Sequence, residues 1–314
     1  MHREDHRPRA IFLMGPTASG KTRLACELST RHALDLVSVD SALVYRGMDI
    51  GTAKPDAAMR ARFPHRLIDI REPHEAYSAA DFRQDALVEM AQIAAGGRVP
   101  LLVGGTGLYF RALERGLSAL PPADAQVRET LNRDAARLGT AGMHARLAAL
   151  DPQTAARLNA NDAQRVQRAL EVIALSGRPM SDQRGQVRGR LPYRVLKLAL
   201  LPRDRAPLHA RIAERFDAMI ADGLADELAR LRALPRWSAD LPAMRAVGYR
   251  QGWPFLDASV DLAGFRLAAI HATRQLAKRQ ITWLRSEVDA IALDPEASDL
   301  PERTLAAVNA FLDG

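Results

Sequence analysis

The 314-residue sequence holds a single cysteine, Cys26. One cysteine makes no internal disulfide, so apolar burial must hold the fold, and a reducing, cytoplasmic setting is expected. Aromatic residues are sparse at 5%. No apolar run approaches the ~18 residues of a membrane span. Residues 1–9 are charged and short and carry no apolar core of a signal peptide, so neither a membrane partner nor export is expected. Internal repeats and low-complexity tracts are absent. Lysine is nearly absent too: Lys21, Lys54, Lys197 and Lys278 are four of 44 basic residues. The net charge of +7 fits an acidic partner, but arginine excess also follows from GC-rich coding. The location of the charge must decide.

Hydrophobic patterning comes in two kinds. Residues 9–14 (RAIFLM), 36–39 and 99–103 are short apolar runs of the buried parallel-strand type, separated by helical patterns over 22–32 and 81–95. Ser78 or Asp81 supplies the start signal of the second helix, and Gly96-Gly97 stops it. Strand and helix in alternation predict an α/β core with a parallel sheet. From Pro121-Pro122 only helical patterns follow, over 123–138, 140–150, 152–158 and 163–176, and 177–192 reads as a loop. Strand character returns at 193–201. Helices are expected near 207–222, 224–234 and 264–286, then a strand at 290–293 and a last helix. The expected organisation is an α/β core built from 1–120 and 193–314, with a helical insertion at 121–192.

Gly15-Pro16-Thr17-Ala18-Ser19-Gly20-Lys21-Thr22 matches G-x-x-x-x-G-K-[ST] between a predicted strand and a predicted helix, the context that gives the motif its meaning. Glycines let backbone N–H groups turn inward around phosphate oxygens, and the helix N-terminus adds positive field. Lys21 supplies a point charge, and the Thr22 hydroxyl is placed to hold Mg²⁺. Such a loop, taken by itself, suggests ATP. However, the strand over 99–103 ends in Gly104-Gly105-Thr106, without the carboxylate an ATPase needs to organise metal and water. Asp40 is the strand-end acid of this half, which suits a transferase with Asp40 facing the acceptor.

Other candidate residues each carry two readings. Asp40 ends a strand where α/β sheets bind ligands and can take a proton from a nucleophile, or it caps the segment that follows. Thr106 can bond a substrate or cap the next helix. Arg211 and Arg215, four apart on one helix, can clamp a leaving pyrophosphate or form a solvated face. Three basic segments interleave glutamine and aromatics: 164–168, 245–250 and the helix carrying Arg274, Lys278, Arg279, Trp283 and Arg285. Together they suit phosphate contacts and base stacking in RNA or DNA.

The blocks GPTASGKT (15–22), SVDSALVYRGMDIGTAKP (38–55), PHRLIDI (64–70), YSAADF (77–82), LLVGGTGLYF (101–110), QRVQRALEV (164–172), RIAERF (211–216), RAVGYRQ (245–251) and TRQLAKRQITWLR (273–285) closely resemble the bacterial tRNA dimethylallyltransferases, in order. That resemblance implies transfer of a dimethylallyl group from dimethylallyl diphosphate to N6 of adenosine 37 in tRNA. It implies that residues 15–22 hold the diphosphate with Mg²⁺ and that Asp40 is the general base. Thr17 and Arg215 match positions that contact or stabilise the diphosphate, and Thr106 and Arg128 match positions contacting tRNA. The regions matching tRNA contacts are Asp40, Ser41, Ala42 and Leu43; then Gln164, Arg165, Val166, Gln167 and Arg168; then Arg245, Ala246, Val247, Gly248, Tyr249 and Arg250. The last comprises Lys278, Arg279, Gln280, Ile281, Thr282, Trp283, Leu284 and Arg285. A monomer acting on tRNA is expected. The competing readings are an ATP-dependent small-molecule kinase, a nucleic-acid-binding ATPase and an adenylate isopentenyltransferase acting on free nucleotide. The extended basic surface disfavours the last, since a nucleotide needs no such surface.

Overall fold

Residues Arg9–Met14 form a strand, β1, buried on both faces: Ile11 and Leu13 enter one apolar cluster, while Ala10, Phe12 and Met14 enter another. Such a strand belongs inside a parallel sheet with helices on both sides. The computed structural model describes residues 6–314 apart from 119, 184, 186 and 240, with the side chains of 187 and 188 also outside it. Along the chain the further strands are β2 (Leu34–Val39), β3 (His65–Arg66), β4 (Val99–Gly104), β5 (Leu117–Ser118), β6 (Val187–Arg188), β7 (Arg194–Leu200) and β8 (Ile291–Leu293). The helices are α1 (Lys21–Arg31), α2 (Ala57–Arg62), α3 (Ala79–Ala95), α4 (Gly107–Arg115), α5 (Ala125–Leu150), α6 (Pro152–Ala155) and α7 (Ala163–Ser176). They continue with α8 (Met180–Gln183), α9 (Ala206–Ala221), α10 (Leu224–Arg232), α11 (Tyr249–Leu256), α12 (Leu262–Leu284) and α13 (Leu300–Asp313).

Two compact units result: the chain up to Glu114 together with Leu191–Gly314, and Arg115–Arg190. In the first unit the sheet order is β3-β2-β4-β1-β7-β8, parallel throughout. Leu24 and Leu28 of α1 and Leu300 and Val308 of α13 share the cluster of Ile11 and Leu13. Phe82, Phe110, Phe216 and Phe265 cover the other face, so α3, α4, α9 and α12 lie there. Ser78 caps α3 in a reciprocal box: its hydroxyl accepts from Ala80 and Asp81, and the Asp81 carboxylate accepts the Ser78 N–H at 2.8 Å. Both start signals therefore act at one helix end, a device worth about 1 kcal/mol.

The second unit is built from α5 and α7 around Leu131, Leu147, Val166 and Leu170. The break expected before residue 140 is a kink at Gly139 (φ 67°, ψ 178°) within α5. The stretch 177–192, expected as a loop, instead contains α8 and β6, and β6 pairs with β5 in a short antiparallel ribbon. That pairing ties Leu117 and Ser118 to this unit, so it starts before residue 121.

Candidate active site

The adjacent strands β2, β4 and β1 end side by side at the carboxyl edge of the sheet, where open α/β sheets bind ligands. After β1 the chain turns through Gly15–Thr22. Gly15 leaves no space for a side chain, because a Cβ there would lie 2.8 Å from Ser19 Oγ and 3.0 Å from Leu200 Cβ. Ala18 (φ 61°) and Gly20 (φ 84°) are both left-handed, which folds the loop back over itself before α1 begins. The first turn of α1 carries no acidic residue, so its N-terminal field is uncompensated.

Lys21 Nζ donates to the Pro16 carbonyl at 2.6 Å. Burial pushes its ammonium down to about 7, an effect that Asp40 opposes and Arg215 reinforces. A cation so depressed is one that an incoming anion would stabilise. Ser19 Oγ is buried and makes no hydrogen bond among the described residues, leaving a donor inside the loop. Thr17 is held from two sides. Its N–H donates to Gln280 Oε1 at 2.9 Å, and its hydroxyl accepts from Arg215 Nη1 at 3.4 Å. The two arginines of α9 thus separate in role: Arg211 donates to the Ala18 carbonyl at 2.9 Å and pairs with Glu296 at 2.5 Å, while Arg215 reaches Thr17.

Asp40 caps the segment that follows it. Its Oδ1 accepts the N–H groups of Ala42 (2.8 Å) and Leu43 (3.3 Å), an Asx turn that shapes residues 40–43. Both bonds fall on the same oxygen, Oδ1. The Thr106 hydroxyl accepts the Ser41 N–H at 3.2 Å, stitching the end of β4 to the turn after β2. The Gly104-Gly105 pair is dictated by packing. A Cβ on Gly104 would sit 2.0 Å from the Val39 carbonyl oxygen, and one on Gly105 2.3 Å from Gln280 Nε2.

The basic segments divide by burial. Arg245, Arg250, Lys278, Arg279, Thr282 and Arg285 are exposed. Tyr249, Ile281 and Leu284 are buried and face the core, so they position their neighbours and present no ring or side chain to a base. Trp283 stacks on Phe110 (6.0 Å, 14°) over Gly107, where no side chain would fit. Ala246 and Val247 are half-buried, and Gly248 (φ 94°) turns the chain into α11. In the second unit Gln164 and Arg165 are exposed, Val166 is buried, and Gln167 bonds Asn132 at 2.6 Å. Arg128 and Arg168 both pair with Glu171, at 2.9 and 2.7 Å. Burial would raise this carboxyl, but Arg168, Arg128 and the Asp124 N–H outweigh that and hold it below its ordinary range.

One residue that sequence reasoning missed organises the segment after Asp40. Glu227, 1% exposed, accepts the N–H groups of Asp49 (2.9 Å), Ile50 (2.8 Å) and Gly51 (3.1 Å) and the Tyr249 hydroxyl (2.5 Å). Nearby, Lys54 donates to the Tyr45 carbonyl (2.8 Å), Asp49 (2.6 Å) and Asp69 (2.5 Å). The signal was a glutamate standing in the apolar stripe Leu224, Glu227, Leu228, Leu231 of α10.

Magnesium takes oxygen ligands and commonly uses few protein groups when substrate phosphates and water supply the rest. The half-buried Thr22 hydroxyl is the oxygen donor at the start of α1, and no cluster of three or more His, Cys, Asp or Glu suited to a metal exists among the described residues. The Thr22 hydroxyl would therefore suit one coordination position of a metal carried mainly by a diphosphate.

A phosphate loop, a strand-end carboxylate beside it, and no metal-organising acid after β4 together define a phosphate-loop α/β transferase. The chain belongs to the IPP transferase family, whose description matches residues 43–287. It is 61% identical to a tRNA dimethylallyltransferase of Thiobacillus denitrificans over 97% of both chains. It is 60% identical to one of Xanthomonas axonopodis pv. citri, over 93% of this chain and 91% of the relative. The crystal structure of the full-length tRNA isopentenylpyrophosphate transferase of Bacillus halodurans is similar with TM-score 0.70 at 34% identity, covering 98% of this chain and 96% of that one. A eukaryotic dimethylallyltransferase acting on tRNA shares the fold with TM-score 0.82 at 24% identity, over 98% of this chain and 80% of that one.

Proposed function

We propose that this chain transfers the dimethylallyl group of dimethylallyl diphosphate to N6 of adenosine 37 in tRNAs reading codons that start with U, releasing pyrophosphate. The observation that carries the reading is Asp40, close enough to Lys21 for their charges to interact, with Oδ2 unspent by its own turn. A diphosphate held at residues 15–22 lies beside a base that can serve an acceptor.

Adenine N6 is a weak nucleophile, because its lone pair is delocalised into the ring. The C1–O bond of the donor must therefore loosen as N6 approaches, placing positive charge on the allyl carbon and negative charge on the departing pyrophosphate. Lys21, Arg215, the Ser19 hydroxyl and the backbone N–H groups of the loop stabilise that negative charge. Thr22 would hold Mg²⁺ here, and the ion would supply further charge neutralisation. As the N6–C1 bond forms and the C1–O bond breaks, the N6 proton passes to Asp40 Oδ2. Adenine must leave its stack to reach this carboxylate, so the nucleotide is turned out of the anticodon loop. Exposed Arg245, Arg250, Lys278, Arg279 and Arg285 supply phosphate contacts in the first unit, and Gln164 and Arg165 do so in the second.

The deciding experiment incubates the protein with Mg²⁺, radiolabelled dimethylallyl diphosphate and unmodified tRNA. Label in tRNA at adenosine 37 is the expected result. Label on free AMP, ADP or ATP with none on tRNA would move the chain to the nucleotide-modifying enzymes.

A further inference from the structure

Arg205, His209, His271, Arg274, Gln275 and Lys278 line a cavity of about 410 Å³ between the start of α9 and the middle of α12. No carboxylate among the described residues lines it. Arg274 Nε is buried without a hydrogen-bond partner among the described residues, so it offers a donor to a ligand oxygen. His209 is held below its ordinary pKa by burial, then by Arg274 and Arg205, with Asp204 opposing. A lining that depresses its own histidine is one that an anion would relieve.

The cavity is separate from the diphosphate loop. At 3.6 residues per turn, Leu208, Ile212 and Phe216 form the buried stripe of α9. Arg211 and Arg215 flank one side of that stripe, toward Ala18 and Thr17, and Arg205 and His209 flank the other. The same division holds on α12, where Gln280 faces Thr17 while His271, Arg274, Gln275 and Lys278 lie across the buried stripe. The cavity mouth is open, since His271, Gln275 and Lys278 are exposed. From Arg274 the same helix face continues through Lys278 and Thr282 to Arg285, roughly 16 Å at 1.5 Å per residue. That length exceeds one phosphate or diphosphate and suits a chain of phosphates.

We propose that this cleft is a binding subsite for a backbone phosphate of the RNA substrate, distinct from the site of the prenyl donor. The proposal rests on the tRNA-modifying reading above. The test measures binding of unmodified tRNA against salt concentration, and steady-state kinetics, for R205Q, R274Q and the double variant. Each removed charge is expected to reduce the slope of log K on log[salt] by about 1. KM for tRNA should rise several-fold, with kcat and KM for dimethylallyl diphosphate held, and R274K should recover most of the slope. Unchanged slope and unchanged KM for tRNA in the double variant would overturn the proposal. So would a rise in KM for the prenyl donor alone, which would place a diphosphate in the cleft. If R274Q melts early, R205Q, which precedes the first turn of α9, still decides. A wild-type enzyme that prenylates free nucleotide and ignores tRNA would remove both readings, and that outcome needs no variant.

Discussion

Gln280 accepts the Thr17 N–H at 2.9 Å while donating to the Gly105 carbonyl at 3.0 Å. A single amide from α12 thereby sets the spacing between the loop after β1 and the turn after β4. Gln280→Ala removes both bonds and frees the donor end relative to the acceptor end. Misplacement by about 1 Å can cost on the order of 10²-fold in rate, so kcat should fall about 10- to 100-fold. A steady-state assay with tRNA and prenyl donor both saturating checks this. Unaltered kcat would mean that the bridge carries no positional role.

Asp40→Ala removes the proton acceptor, a change worth about 10²- to 10⁴-fold in kcat. It also dissolves the turn at residues 40–43. Asp40→Asn separates the two effects, because its amide oxygen still accepts from Ala42 and Leu43. Asn should keep tRNA affinity near wild type while kcat remains low. An Asn variant with wild-type turnover would exclude Asp40 as the base.

Arg215 and Arg211 should differ sharply despite sharing a helix. Arg215→Gln removes a cation at the leaving group, expected to cost about 10²- to 10³-fold in kcat. Arg211 already serves the Ala18 carbonyl and Glu296, so Arg211→Gln should chiefly lower the melting temperature. Comparable kcat losses for the two would contradict the division. Rapid-quench single turnovers and thermal melts supply both readouts.

Lys21 sets a pH dependence. Its folded value of about 7 lies below the unfolded lysine near ~10.4. Between those values the unfolded chain binds the extra proton, so this group makes the ligand-free protein more stable as pH rises through that window. A bound diphosphate favours the ammonium form and reverses the shift. Donor binding at pH 8 should therefore take up close to one proton, and at pH 6 almost none. Calorimetry in two buffers of different ionisation heat measures the uptake, and equal uptake at both pH values would refute the assignment.

The sheet was legible because β1, β2 and β4 are apolar on both faces and end in glycine or aspartate. The phosphate loop was legible because its chemistry is local: eight consecutive residues carry it. Contacts that close the site over long sequence distances were not. Nothing in the pattern around Gln280 distinguishes a bridge to Thr17 from a surface amide. Tyr249 looked like a stacking platform because it sits between arginines, yet Glu227, a residue with no motif of its own, draws it into the core. α11 escaped notice because Gly252 and Pro254 interrupt its helical signal, although Gly252 is required where Leu228 packs against the backbone.

Three successive N–H groups and the Tyr249 hydroxyl converge on the buried Glu227 carboxylate, which ties residues 49–51 to α10 and α11. On the proposed reading, a segment anchored in this way leaves the larger adjustment to the RNA, and discrimination among tRNAs would follow the ease with which each loop gives up the stacking of its adenine.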